Sequence, residues 1–172
     1  AYQALIDTLH LQGGQRILIH GGAGGIGSFA IQLAKHIGAY VATTVAPEGA
    51  AYARDLGADK VIDYTTQEFE SQLRELDAVY DTVGGETYTR SYQVLKPGGQ
   101  IVSMLEPSNN ELMQKYQVKA YTQFTHVTAE RLTQVARLID QGALKVHIDK
   151  IFPLQQASQA LDYIHSGHHR GK

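Results

Sequence analysis

The sequence predicts an α/β fold built on a doubly wound parallel sheet with helices on both faces. Three observations carry that expectation. Strand-length apolar clusters alternate with stretches of helical period along most of the chain. The connections between them are short, which favours parallel pairing through right-handed crossovers. A glycine-rich turn joins the first strand candidate to the first helix candidate.

The strand candidates, in order, are Arg16–His20, Tyr40–Val45, Lys60–Asp63, Ala78–Val83, Gln100–Met104 and Val118–Phe124. After the first of these, Ile26, Phe29, Ala30, Leu33, Ala34 and Ile37 recur at the spacing of one helix face, and Gly38 stops it. Weaker helices fit Glu48–Leu56, Glu68–Leu73 and Glu86–Val94, each closed by glycine, acidic or proline punctuation. Leu132, Val135, Ala136 and Ile139 form a further helical stripe that stops at Gly142. A short apolar piece, Val146–Phe152, then leads through Pro153 to a helix with Leu154, Ala157, Leu161 and Ile164 on one side. Both ends of the chain look cut, so a domain excised from a longer protein is expected.

Composition narrows the function. At 172 residues, 43% hydrophobic and 19% charged, the chain can bury a sizeable core as one domain. Net charge is −2 without a basic tract, and Arg54–Glu86 holds nine acids against three bases, so nucleic acid is not an expected partner. The absence of cysteine excludes disulfides, thiolate metal sites and a cysteine nucleophile in these residues. No apolar run approaches the ~20 residues that span a bilayer, and Ala1-Tyr2-Gln3 does not open a signal peptide. A soluble cytoplasmic protein without a membrane partner is expected.

The most informative stretch runs from Ile17 to Gly27. Gly22, Gly24 and Gly27 satisfy G-x-G-x-x-G, after a strand and opening a helix, as a dinucleotide-binding loop requires. Gly22 would permit the tight turn, Gly24 would let phosphate approach the backbone, and Gly27 would let the helix pack closely on the strand. The helix N-terminus then offers free N–H groups and its positive dipole end to a pyrophosphate.

Three families use such a loop. The short-chain dehydrogenase reading has a formal Y-x-x-x-K in Tyr92–Lys96, but the pair lies too near the loop, and Pro97-Gly98-Gly99 ends the helix at once. A methyltransferase would need an acid ending the second strand, where Thr43, Thr44, Val45 and Ala46 stand. The third fits along the whole length. Ala1–Leu5, Gly14–Ile19, the loop GGAGGIGSFAIQLAK, Leu56–Tyr64, Asp81–Gly85, LKPGGQIVSM, Ile151–Leu154 and Gly167–Lys172 together resemble the medium-chain dehydrogenase/reductase superfamily. The resemblance is to its zinc-independent, quinone-oxidoreductase-like branch.

That resemblance implies a six-stranded Rossmann sheet in residues 1–127. Residues 128–172 would be the return segment of a catalytic domain whose main N-terminal part is absent, leaving Ile148, Ile151, Phe152 and Leu154 short of cover. The fragment alone would bind cofactor without catalysing, and no catalytic residue is assigned. Backbone groups of Gly24, Gly25, Ile26 and Gly27 would hold the pyrophosphate. With no acid ending the second strand, Thr43, Thr44, Arg54 and Tyr64 would meet a ribose 2′-phosphate, so NADPH is expected over NADH, although Glu48 is unfavourable there. Val83 and Leu105 would touch the nicotinamide side. The resemblance implies hydride transfer to a quinone or a conjugated enone or aldehyde. The alternatives are a non-catalytic NADPH-sensing module and a zinc-dependent alcohol dehydrogenase with its ligands in the missing half. No metal ligand is assigned; His168-His169 is read as a loop. Val118, Ala120, Thr122 and Phe124 alternate along the sixth strand, whose edge would pair in a homodimer.

Overall fold

The computed structural model describes residues 1–167 and 170–172. It contains one six-stranded sheet: β1 (Arg16–His20), β2 (Tyr40–Val45), β3 (Lys60–Asp63), β4 (Leu76–Asp81), β5 (Leu95–Ser103) and β6 (Lys119–Thr122). The order is β3-β2-β1-β4-β5-β6, with every pair parallel. Winding reverses between β1 and β4, which opens a crevice at the carboxyl ends of those two strands.

Both faces of the sheet are covered. Ile17, Ile19, Val41, Val45, Ala78, Tyr80 and Val102 turn to one side. There they pack on α1 (Gly27–Ile37), α2 (Ala50–Asp55), the opening turn Gln3–Thr8 and α6 (Ala129–Asp140). Leu18, Ala42, Ile62, Val79, Ile101 and Ala120 turn to the other, under α3 (Phe69–Gln72), α4 (Gly85–Ser91) and α5 (Asn110–Tyr116). Alternation within strands that are buried on both faces explains why β1, β2 and β4 read as near-continuous apolar runs. α1 ends on Gly38, whose left-handed φ of 91° closes the helix against the carbonyls of Ala34 and Lys35.

Several elements differ from the sequence expectation. β4 starts two residues earlier and stops at Asp81, because the Asp81 carboxylate turns back to accept the N–H groups of Val83 and Gly84, each at 3.0 Å. Lys96–Gly99, read as helix punctuation, lies within β5 as a bulge between the register pairs Leu76–Leu95 and Ala78–Gln100. α5 was not anticipated; Asn109 caps it, accepting the Leu112 N–H at 3.0 Å. β6 is shorter than Val118–Phe124: Val118 and Ala120 are buried under α5, whereas Phe124 has left the strand and is exposed.

The last quarter holds α6 and α7 (Ala157–His165) with a loop between them. Gln32 on α1 pins that loop, its side chain accepting from Lys145 N at 2.7 Å and donating to Lys145 O at 3.1 Å. Val146–Phe152 forms no strand. It does meet the chain's last residue, since Lys172 N donates to His147 O at 3.0 Å and Asp149 N to Lys172 O at 2.6 Å. Ile148, Ile151 and Leu154 are exposed, and Phe152 is half-buried against the Tyr163 ring. No helix among the described residues is long and apolar enough to cross a membrane.

Candidate functional site: the glycine loop at the carboxyl edge

The turn after β1 is made by Gly21, not Gly22. Gly21 holds a left-handed φ of +67°, whereas Gly22 is needed for space: a side chain there would overlap the Thr43 hydroxyl and Ile31. A Cβ on Gly27 would run into the carbonyl of Gly21, which is how the helix comes to sit against the strand end. Gly24 is the open position, where an added Cβ would meet only the Gly21 carbonyl, at an ordinary 3.4 Å. Gly25 lies beneath the chain's end; its missing Cβ would stand 2.7 Å from the Lys172 ammonium. α1 has no side-chain cap, and the N–H groups of Gly25, Ile26 and Gly27 meet no acceptor among the described residues. Unpaired first-turn donors and the positive end of the helix dipole together favour an anion.

Three recesses share residues of this loop. The largest, about 650 Å³, lies between Gly21, Gly24–Gly27 and Val83 on one side and Asp149, Lys150, Phe152, Tyr163 and Lys172 on the other. A second, about 170 Å³, shares Gly21 and Gly24 and is closed by Val45, Ala46, Glu48, Tyr64 and Arg170. The third, about 330 Å³ and mostly apolar, shares Gly25, Ile26 and Lys172 and reaches Phe29, Gln123 and Val135. Gln123 is buried there, and its Oε1 meets no donor among the described residues.

The structure gathers some of the expected residues and separates others. Tyr64, exposed, borders the small recess, and Val83 borders the large one. Thr43 and Thr44 do not face either recess. Thr43 is fully buried and donates its hydroxyl to the Ile19 carbonyl at 2.6 Å, while Thr44 points to the opposite face, where it bonds His20 Nδ1 at 2.9 Å. Adjacent residues of a strand point to opposite faces, and here both faces are core. Arg54 sits exposed on the last turn of α2 and lines none of the three recesses. Leu105 is exposed at the end of β5 beside Gly84, outside them as well.

Arg170, which the sequence did not single out, borders the small recess together with Tyr64 and Glu48. The Arg-Gly-Lys run was visible, but nothing in it said that Gly171 N would bond the Ala23 carbonyl, at 3.0 Å, and bring its neighbours to the loop.

One other reading fails on geometry. Tyr92 is fully buried against Tyr88, and Lys96 pairs with Asp77 at the start of β4, at the amino edge of the sheet. A catalytic tyrosine–lysine pair is therefore excluded. Burial alone would raise the Asp77 pKa, but the Lys96 ammonium and the Arg16 N–H bring it below the usual carboxylate range. No three His, Asp or Glu side chains among the described residues are grouped as metal ligands. His168-His169 lies outside the described residues.

Residues 56–172 match the family described as zinc-binding dehydrogenase. The mitochondrial NAD(P)H oxidoreductase RTN4IP1 of Danio rerio is 32% identical over the whole chain, which spans 52% of that protein. This chain belongs to the medium-chain dehydrogenase/reductase family. Its fold matches the quinone oxidoreductase of Coxiella burnetii with a TM-score of 0.90 and 32% identity, over 98% of this chain and 54% of the other. The Escherichia coli quinone oxidoreductase complexed with NADPH gives 0.86 and 28%, over 99% and 59%. The chain thus spans about half the length of these medium-chain dehydrogenase/reductase relatives. The architecture this chain shares with them is the six-stranded parallel sheet flanked by helices.

Proposed function

We propose that this chain is the cofactor-binding part of an oxidoreductase that uses NADPH in preference to NADH. The observation that carries the reading is a pair of recesses that meet at Gly21 and Gly24 of one glycine loop, whose first-turn amides have no acceptor among the described residues, with the Lys172 ammonium lining the larger and Arg170 the smaller. An elongated diphosphate-bridged ligand fits such a pair. The pyrophosphate would lie on Gly24, Gly25, Ile26 and Gly27, with the Lys172 ammonium beside Gly25 as a counter-charge. The adenosine end would enter the recess of Tyr64 and Arg170, where no acid ends the strand and the Arg170 guanidinium would offset the Glu48 carboxylate for a 2′-phosphate. The nicotinamide end would lie toward Val83 and Leu105.

When bound, the nicotinamide supplies a hydride, and the acceptor takes it together with a proton. This chain's part is to fix the cofactor along the carboxyl edge and to keep water from it. We infer a quinone or a conjugated enone or aldehyde as acceptor. The reading is supported by the quinone oxidoreductase neighbours and by the NADPH-dependent alkenal/one oxidoreductase of Arabidopsis thaliana, 31% identical over the whole chain and 43% of that protein. The exposed edge of β6 is the surface we propose for a homodimer, which light scattering would report as twice the 18.9 kDa chain mass.

Calorimetric titration with NADPH and then NADH, at matched salt, tests the cofactor reading. Tighter binding of NADPH supports it. Tighter binding of NADH overturns the preference, and binding of neither overturns the assignment.

A further inference from the structure

His20 closes β1 and is fully buried, yet it carries no apolar duty that a leucine would not perform better. Its ring lies edge-on to Phe69, and both ring nitrogens have partners: Nδ1 is 2.9 Å from the Thr44 hydroxyl and Nε2 is 2.9 Å from the Ser91 hydroxyl. The direction of each bond follows from counting protons. Ser91 spends its only hydroxyl proton on the Thr87 carbonyl, 2.6 Å away on the preceding turn of α4. Its oxygen must then accept, so the imidazole proton sits on Nε2. Nδ1 is left as an acceptor and takes the Thr44 hydroxyl proton. The other tautomer would set two lone pairs against each other at Ser91.

The same count fixes what Thr44 does for the loop. With its proton given to His20, the Thr44 hydroxyl oxygen is free to accept the Gly21 N–H, at 3.4 Å, while the Thr44 carbonyl accepts the Gly22 N–H at 3.1 Å. One residue thereby holds two successive amides of the turn. The carbonyl of His20 is held as well, by the Thr82 hydroxyl at 2.8 Å. A directed chain runs from Gly21 through Thr44 and His20 to Ser91 and the Thr87 carbonyl, tying the loop on β1 to a helix on the far side of the sheet.

We propose that neutral His20, protonated on Nε2, is a positioning residue for the dinucleotide loop, acting through Thr44 on the amides of Gly21 and Gly22. The proposal deepens the cofactor reading, since the loop it positions is the one assigned to the pyrophosphate. The charged groups whose fields reach the ring are Asp81 on β4, Arg90 on α4 and Glu70 on α3; none of them hydrogen-bonds it.

The test does not depend on ligand. Long-range 1H–15N correlation of the His20 ring is expected to show the Nε2–H tautomer at neutral pH; the Nδ1–H tautomer overturns the proposal. Amide hydrogen exchange then compares His20→Asn, whose side chain reaches the Nδ1 position, with His20→Gln, which reaches the Nε2 position, alongside Thr44→Val. Exchange at Gly21 and Gly22, relative to Ile17 and Leu18 in the same strand, is expected to accelerate about tenfold in His20→Gln and Thr44→Val and much less in His20→Asn. A merely structural histidine would raise exchange evenly along β1 in both variants, and that result also overturns the proposal. If the parent chain binds NADPH, affinity is expected to fall in the same order. If it does not, the cofactor reading fails while the exchange data still decide the role of His20.

Discussion

Asp81 and Ser103 stand side by side in the register of β4 and β5, and the serine hydroxyl donates to the aspartate Oδ2 at 2.6 Å. The pair organises both loops that leave the sheet here. Asp81 Oδ1 accepts the N–H groups of Val83 and Gly84, and the Ser103 oxygen accepts those of Leu105 and Glu106 at 3.1 and 3.0 Å. Ser103→Ala removes one donor and one acceptor from a buried site and orphans two amides. Thermal unfolding is expected to show a loss of about 1–3 kcal/mol, and Asp81→Ala at least as much.

Two of the motif glycines, Gly24 and Gly27, are expected to respond differently to alanine. Gly24→Ala adds a methyl with 3.4 Å of room, so its melting temperature should stay near that of the parent. The same methyl stands at the proposed pyrophosphate site, so NADPH affinity should fall at least about tenfold by calorimetry. Gly27→Ala collides with the Gly21 backbone and should lower stability itself, by about 1–3 kcal/mol, as overpacking does. Equal melting losses in the two variants would contradict this division of roles.

Acid should weaken the fold in two stages. Burial is the main cause that drags the His20 pKa down from 6.5 to about 4, so the unfolded chain binds its proton first. Stability from this group is complete above pH 6.5 and is lost as pH falls toward 4, by at most about 3 kcal/mol. Asp59 follows at lower pH. Burial opposes its ionisation, but hydrogen bonds from Lys35 and the Val41 N–H more than offset this and depress its pKa. Its contribution is present above the ordinary carboxylate pKa and disappears as pH falls through the folded value. Urea midpoints measured between pH 4 and 8 should decline below 6.5, and His20→Asn should flatten the upper part of that slope.

The sheet was legible because its signal is local: β1, β2 and β3 follow runs whose apolar residues must be buried wherever they lie in the chain. The glycine loop was legible for the same reason. What sequence reasoning missed depends on approach from a distance. Thr43 and Thr44 sit near the loop, but the two-residue period of a strand sends one into each core layer, and each finds a protein partner before any ligand. Arg54 is closer in sequence to the small recess than Arg170 is, yet α2 presents it to solvent. Arg170 arrives because Gly171 bonds the Ala23 carbonyl. α5 lacked a strong apolar period, and only its Asn109 cap announced it.

The small recess sets a cation against an anion, and that balance should decide the cofactor. Arg170 and Glu48 border the same 170 Å³ space with Tyr64. A 2′-phosphate placed there gains from the guanidinium and loses to the carboxylate, whereas a 2′-hydroxyl is nearly indifferent to the first and can donate to the second. Arg170→Ala should therefore weaken NADPH binding by about 1.5–3 kcal/mol, a factor of ten or more in dissociation constant, and leave NADH within about twofold. Glu48→Gln should move NADPH the other way, tightening it while leaving NADH equal or weaker. Both shifts should shrink as salt is raised, because the recess is open to solvent and screened. Titrating both variants with both cofactors at two ionic strengths checks every arm. A loss that is equal for NADPH and NADH in Arg170→Ala would mean that the guanidinium serves the shared part of the molecule rather than the 2′-phosphate.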